Sequence, residues 1–438
     1  MNVIHTRRQH AVGQGFFNSG DLHDENGWCR LRYVVDCGSK ATYQSAREKQ
    51  IDDFVSSIGT GGMIDLLLVS HVHEDHVNGI ERLFDPSTGL KVDTIMLPLM
   101  TVQERLIAFA RSVDEDSSSA ASAFYQRFVI DPVAALSEFN PRHIILVRPG
   151  ATDDAAPGGT DDPVTPLPGS EELLDPEDKE DRREWRFVGK GQLEDQIDYS
   201  TSSRAGREVR ISVMPDSAGI AVPSKDSLWD WLIAPYVDPK VEAGIAQFER
   251  TLSRRLGIKV ADLRKQLVNA AYVQNLIVSE VNKLTAAYQK VVSNLNVTSL
   301  CVYSGPAASP VKHECRLLKI KFGEYFWGYA GRGGWLGTGD AALKEKTRLD
   351  PFLRHYGRLL SEVDTLTMPH HGSDGNFHPD LLDKVEPTLC VAAADRISNW
   401  RHPGTSVVQS VASRGILLFV ATADERSVIC EQLDIYLP

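Results

Sequence analysis

The chain has no run of about 18 apolar residues, the length a helix needs to cross a bilayer, so neither a membrane-spanning segment nor a membrane partner is expected. Cysteine is scarce. Six residues in 438, none paired as CxxC, argue against a disulfide framework and for a reducing, cytoplasmic setting. The start, Met1-Asn2-Val3-Ile4-His5, lacks a basic region followed by an apolar stretch, and no secretory leader is expected there. No internal repeat with a period of roughly 20–50 residues is visible. Positive charge is also short. Lys and Arg number 47 against 59 Asp and Glu, a net charge of −12, which speaks against a protein that coats nucleic acid but leaves room for a nuclease with a local basic groove. What remains is ordinary: 42% hydrophobic and 24% charged residues exclude wholesale disorder, a collagen-like chain or a coiled-coil rod.

The length allows two or three domains, or one large domain with an insertion. Up to residue 99 the chain reads as short strands and turns with helices over Tyr43–Ile58 and Ile80–Phe84. The run Tyr33-Val34-Val35-Asp36-Cys37-Gly38 is a strand ending in Asp-x-Gly, and Ile64–Val69 is an apolar run of buried-strand length. Residues 100–295 have a different texture and are expected to form a large, mainly helical insertion. Within it, 150–182 is rich in Asp, Glu, Pro and Gly and almost free of aromatics, the composition of a mobile acidic loop. Residues 240–292 carry apolar positions at helical spacing (Val241, Ile245, Phe248, Leu252), interrupted at Gly257, which predicts a helical hairpin or short bundle. Residues 296–438 alternate strands and helices, as in mixed α/β layers.

The strongest chemical signal is His71-Val72-His73-Glu74-Asp75-His76, directly after the apolar run. Residues two apart in an extended stretch point to one side, so His71 and His73 can grip one metal ion together. Asp75 and His76, from the following turn, can aim at a second. Imidazole with carboxylate suits zinc, one or two ions, with manganese as the alternative. The bland reading is a solvated loop, but only 13 His occur in the whole chain, and three of them fall in these six positions. Gly331-Arg332-Gly333-Gly334 is followed by no Lys-Ser/Thr and is expected to be a hairpin turn rather than a phosphate loop.

The motif resembles the HxHxDH signature of the metallo-β-lactamase fold family. Asp36 is similar to that family's early strand-end Asp, Asp340 in Thr338-Gly339-Asp340 to its metal-bridging Asp, and Pro369-His370-His371-Gly372-Ser373 to its late His motif. The wording of Val12-Gly13-Gln14-Gly15, Thr338-Gly339-Asp340-Ala341, His370-His371-Gly372-Ser373 and His402-Pro403 resembles the hydrolase domain of the ComEC family of DNA-uptake proteins. The resemblance covers 1–99 and 296–438 and implies an αββα sandwich (α/β, α+β mixed) as the catalytic domain. It implies metal ligands at His71, His73, Asp75, His76, Asp340 and one or both of His370 and His371, with His371 favoured and the other, His370, left to act catalytically by hydrogen-bonding the leaving group or a carboxylate behind the ligands. Asp36 would stand behind the ligands, and Ser373 and Gly372 would offer donors to an anion. His402 would protonate a leaving group, and Arg401 would meet a phosphate. One departure stands out. Many members of the wider fold family supply a further His, whereas at the ComEC-like position Asn296-Val297-Thr298-Ser299-Leu300 this chain has Asn296; His313 and His143 are the histidines in the interval that could replace it.

The implied chemistry is hydrolysis by metal-activated water, with Asp340 bridging and Asp75 orienting the nucleophile. The leading substrate is a phosphodiester in DNA, RNA or a nucleotide. The alternatives are a lactone, thioester or other small ester or amide on the same site, or a metal-stabilised, non-catalytic subunit that docks a protein partner through 100–295.

Overall fold

The apolar and β-branched runs of the sequence become the strands of two sheets. The computed structural model describes residues 2–118, 122–151, 154–168, 185–195, 209–223, 230–238, 242–291, 298–307, 315–396 and 401–436. The strands are β1 (Asn2–Gln9), β2 (Gly15–His23), β3 (Cys29–Ser39), β4 (Met63–Leu68), β5 (Lys91–Pro98), β6 (His143–Arg148), β7 (Arg186–Gly189), β8 (Glu194–Asp195), β9 (Arg210–Pro215), β10 (Ala218–Pro223), β11 (Asp230–Asp238), β12 (Ser299–Pro306), β13 (Cys315–Phe322), β14 (Tyr325–Ala330), β15 (Gly334–Gly337), β16 (Val363–Thr367), β17 (Leu389–Ala393), β18 (Leu417–Ala421) and β19 (Ile429–Tyr436). An eleven-stranded sheet runs β14-β13-β19-β1-β2-β3-β4-β5-β6-β9-β8, and an eight-stranded sheet runs β18-β17-β16-β15-β12-β11-β10-β7. Each is mixed. Strands β3 through β6 and β9 are parallel to their neighbours in the first, and β15 through β18 in the second, with antiparallel strands beyond.

Alternation along the strands assigns the layers. Tyr33, Val35, Leu66 and Leu68 of the first sheet face Ile233, Val302, Trp335 and Val391 of the second in one central core. Val34 and Leu67 point the other way, onto helices that contribute Phe54, Leu106, Phe109, Phe128 and Phe248. Cys390, Ala392 and Leu366 of the second sheet pack outward on Leu349, Phe352, Leu381 and Val407. The layering is therefore helix, sheet, sheet, helix: the αββα sandwich expected. The helix Val102–Glu115 starts at a capping box, with Thr101 accepting from the Glu104 amide at 3.3 Å and Glu104 accepting from the Thr101 amide at 2.7 Å. Leu106, Phe109 and Ala110 then anchor it to the first sheet.

The segment 100–295 is not set apart from this sandwich. It supplies β6, β8 and β9 to the first sheet and β7, β10 and β11 to the second. The parallel pairing of β6 to β5, and the antiparallel pairing of β11 to β12, join residues far apart in sequence. The expected acidic loop divides likewise. Residues 169–182 lie outside the described residues, whereas in 154–168 Ala156 and Leu167 are buried in the core. Ala156 also bonds through its amide to the His355 carbonyl. Two apolar side chains and main-chain pairing hold that part in place despite its acidic composition. Over 240–292, where a helical hairpin or short bundle is expected, the described chain forms four helices: Glu242–Leu256, Val260–Gln266, Ala270–Ser279 and Val281–Tyr288. Gly331–Gly333 is no hairpin turn either, since it carries the chain from β14 in one sheet to β15 in the other. The Gly333 amide donates to Asp364 at 2.7 Å, so an internal carboxylate takes the place a phosphate would need.

Candidate metal centre

The first half of the centre grows from the end of β4. The Val69 amide still pairs with the Met96 carbonyl at 2.8 Å, and Ser70–His76 then leaves the sheet. His73 is extended and leads into the short helix Glu74–Val77, so His71 and His73 share a side and Asp75 and His76 come from the turn beyond. Asp36 holds this loop from behind. It is the extra residue where the β2–β3 register shifts, and its φ of 56° is left-handed, as at a bulge. The bulge turns its carboxylate into the loop. Oδ1 accepts from the Ser70 amide (2.6 Å), and Oδ2 accepts from the Ser70 hydroxyl (2.6 Å) and from His76 Nδ1 (2.7 Å). Gly38 lets the loop lie against β3: a Cβ there would stand 2.6 Å from the Asp75 carbonyl carbon and the His76 nitrogen.

The second half comes from the ends of β15 and β16. These strands are parallel, and the Thr338 amide donates to Thr367 Oγ1 at 3.0 Å, which aligns the two loops that follow. Asp340 follows Gly339, whose left-handed φ of 48° turns the chain inward. The His370 amide bonds to the Gly339 carbonyl at 2.9 Å. Adjacent side chains on an extended strand end would diverge, but the backbone here is not extended. His370 and His371 have φ of 49° and 57°, and both rings turn into the site.

All of these side chains converge on Asp340. Around Oδ2 stand His71 Nε2 at 3.2 Å, His370 Nδ1 at 3.4 Å and His73 Nδ1 at 3.5 Å. Around Oδ1 stand His76 Nε2 at 3.7 Å and His371 Nε2 at 3.9 Å, the latter also 3.6 Å from Asp75 Oδ2. Two overlapping groups, His71 with His76 and Asp340, and Asp75 with His76 and His371, bring ligand atoms within 4.8 Å of one another. Every member is buried. Asp340 Oδ1, His73 Nε2, His76 Nε2, His370 Nδ1 and His371 Nε2 lack a hydrogen-bond partner among the described residues, an arrangement that is costly unless something else meets those atoms. A divalent cation fits that demand and that donor set. A void of about 10 Å³, bounded among others by Phe16, His76, Asp340, Met368 and His371, has room for about one water.

The electrostatics are those of a cation site. Burial alone would raise the Asp75 carboxyl, but Lys40, His371 and His76 outweigh it and hold it well below the usual range. Asp340 is held low in the same way, chiefly by His370 and His71. Burial pushes His73 down to about 4 and His370 well below the usual imidazole value. His76 differs: burial opposes its charge, yet its bond to Asp36 and the nearby Asp340 and Asp75 push it up to about 9.

The other candidates are placed as follows. His402 lies beside His370, with ring centroids 6.2 Å apart, and its loop is tied down by the Gly404 amide on the Gly372 carbonyl. Burial, then His371, pushes His402 down to about 4. Arg401 is exposed and Ser373 half-buried. His143 is no substitute ligand. It opens β6, at the strand end opposite to the one that delivers the site, and its Nε2 is 2.8 Å from Ser212 Oγ. Asn296 and His313 lie outside the described residues. Sequence reasoning missed a chain of buried charges. Arg111 Nη2 is 3.0 Å from His370 Nε2, Arg111 Nε is 2.7 Å from Glu115, Glu115 is 3.1 Å from Lys40 Nζ, and Lys40 is 3.6 Å from Asp75. An Arg and a Glu four apart on a helix look like a solvated pair, and no sequence signal separates the two cases. Their presence also means that 100–295 reaches into the centre itself.

No protein-family model matches the chain. A stretch of 79 residues, 18% of this chain, is 30% identical to Recombination protein 2 of Haemophilus influenzae and spans 9% of that protein. The metallo-β-lactamase fold protein YhfI of Bacillus subtilis overlaps at 18% identity over 21% of this chain and 37% of its own, with a TM-score of 0.15. The chain thus spans only a small part of the relative and well under half of the solved structure.

Proposed function

We propose that the chain is a metal-dependent hydrolase of phosphodiester bonds in DNA, RNA or a nucleotide. The observation that carries the hydrolase reading is the buried ring of imidazole and carboxylate atoms on the two sides of Asp340, in which Asp340 Oδ1, His76 Nε2 and His371 Nε2 are unmet among the described residues and His71 Nε2 and His73 Nδ1 meet each other, at 2.9 Å. His71, His73 and Asp340 would hold one ion, and Asp75, His76, His371 and Asp340 a second, zinc first and manganese as the alternative. Divalent ions held there would supply acidification of a bound water and charge stabilisation for the entering and leaving oxygens. Asp75, kept ionised by Lys40, can accept a proton from or orient the attacking water. His402 is our candidate donor to the leaving group. Neutral in its buried setting, it would regain a proton once a phosphate anion lies beside it, because an adjacent negative charge favours imidazolium.

Three observations favour a phosphodiester over a neutral ester. The motifs resemble ComEC, the short sequence match is to a protein named for recombination, and two buried cations, Arg111 and Lys40, border the centre. The test is a hydrolysis screen of the zinc-loaded protein against bis-p-nitrophenyl phosphate, single- and double-stranded DNA, RNA, cyclic dinucleotides and lactones. Turnover of a phosphodiester that is lost in Asp75→Asn is the expected result. Turnover confined to lactones would overturn the substrate class.

A further inference from the structure

Three histidines that face Asp340 have a hydrogen-bond acceptor, or a hydroxyl acting as one, behind them. His76 Nδ1 meets the Asp36 carboxylate at 2.7 Å, and His371 Nδ1 meets the Ala393 carbonyl at 2.8 Å. His71 Nδ1 meets Ser70 Oγ at 2.9 Å, and the one proton of that hydroxyl is already given to Asp36. A carboxylate or carbonyl can only accept, so each ring carries a proton on its outward nitrogen, and Nε2 is the atom left to turn a lone pair on an ion. That is the backing a ligating imidazole needs.

His370 is built the other way round. Its outward nitrogen, Nε2, lies 3.0 Å from Arg111 Nη2. A guanidinium carries donors only, so Nε2 must accept. A neutral imidazole has one lone pair and one N–H. With the lone pair given to Arg111, the proton lies on Nδ1, the atom that faces Asp340 Oδ2 at 3.4 Å without closing a hydrogen bond to it. Arg111 is not free to turn away: it is buried, and Glu115 holds its Nε at 2.7 Å on the same helix.

We propose that His370 is not a metal ligand but a neutral imidazole whose Nδ1–H faces Asp340 across the site, and that Arg111 is the positioning residue that imposes this. His371, the next residue, is then the ligand, its lone pair fixed inward by Ala393. The two neighbours divide the work because their outer partners differ in hydrogen-bond sense. On the His71–His73 side this leaves two imidazoles and Asp340 among the described residues, one ligand short of a closed tetrahedral shell, which is what a catalytic rather than a structural site requires. The inference rests on reading the centre as a metal site, but its core, the tautomer of His370, exists without metal.

The test uses the full-length protein, with and without zinc. Histidine-selective nitrogen NMR on the metal-free protein should show His370 protonated at Nδ1. Arg111→Met should release Nε2 and lose that signature, whereas Arg111→Lys, which still donates, should keep it; mere loss of packing would not be repaired by that choice. In the zinc-loaded protein His370→Gln should retain the wild-type zinc content, while His371→Gln should lose about one equivalent of two. An Nε2-protonated His370 in the wild type, or loss of a zinc equivalent in His370→Gln, would overturn the proposal. If the wild type binds no zinc at all, the proposed function falls, and the tautomer measurement still decides the role of Arg111.

Discussion

The two halves of the centre are built by different means. His71, His73, Asp75 and His76 arrive together on one hexapeptide, and β4 and the bulged Asp36 suffice to aim them. Asp340, His370 and His371 come from two separate loops, and only the parallel pairing of β15 with β16 brings those loops to the same place. The backing differs too. The first half leans on a side-chain carboxylate. The second leans on a main-chain carbonyl behind His371 and on a guanidinium from the helix Val102–Glu115 behind His370. A local half can be weakened by one side chain. A half assembled from distant strands fails through the residue that the two halves share.

That residue is Asp340, and the largest effect is expected there. Asp340→Ala should reduce bound zinc from about two equivalents to near none, measured by mass spectrometry of the purified protein. Its melting temperature in excess zinc should fall to that of the metal-free wild type, because binding only the folded state at about 100 times the Kd stabilises by about 2.7 kcal/mol. Asp36→Ala should act on the first half alone. It removes the acceptor behind Ser70 and His76, and a loss of about 10–100-fold in zinc affinity is expected from competition with a chelator. An unchanged affinity would mean that the bulge is not what aims His76.

The legibility of the site follows the same division. The hexapeptide was readable because its ligands follow a buried-length strand and lie at spacings of two and three. Asp340 and the His370–His371 pair were found through motif resemblance, since nothing in their local sequence ties them to residues 71–76. Both rings of the pair face inward because of two consecutive left-handed residues, a backbone that sequence spacing does not announce. Arg111 was invisible for a simpler reason: on an amphipathic helix a charged residue is expected outside, and only the packing of that helix over the centre buries it. The sandwich was legible in its strands and in its layering. The place of 100–295 was not, because β6, β9 and β11 join the sheets by pairing that no single strand encodes.

Two smaller effects sharpen the contrast. Gly38→Ala would press a methyl group on the main chain of Asp75 and His76, and an overpacking cost of about 1–3 kcal/mol is expected in denaturant unfolding. The cost should appear equally with and without zinc if the loop is preformed. The pH dependence of the metal-free protein should report His76. Its folded pKa, about 9, lies above its unfolded value of about 6.5. The bond to Asp36 therefore contributes stability that is fully present below about pH 6.5 and fades as the pH rises toward 9. His76→Gln should flatten that slope in unfolding experiments between these limits. Zinc should flatten it as well, because an ion on Nε2 replaces the proton.

The most direct test of convergence on Asp340 is anomalous diffraction at the zinc edge from crystals of the zinc-loaded protein. The account predicts zinc at coordination distance, about 2.0–2.2 Å, from both carboxylate oxygens of Asp340. One ion should also bond His71 and His73, the other Asp75, His76 and His371, with His370 bonded to neither. Zinc absent from Asp340, or bound through His370 in place of His371, would contradict it.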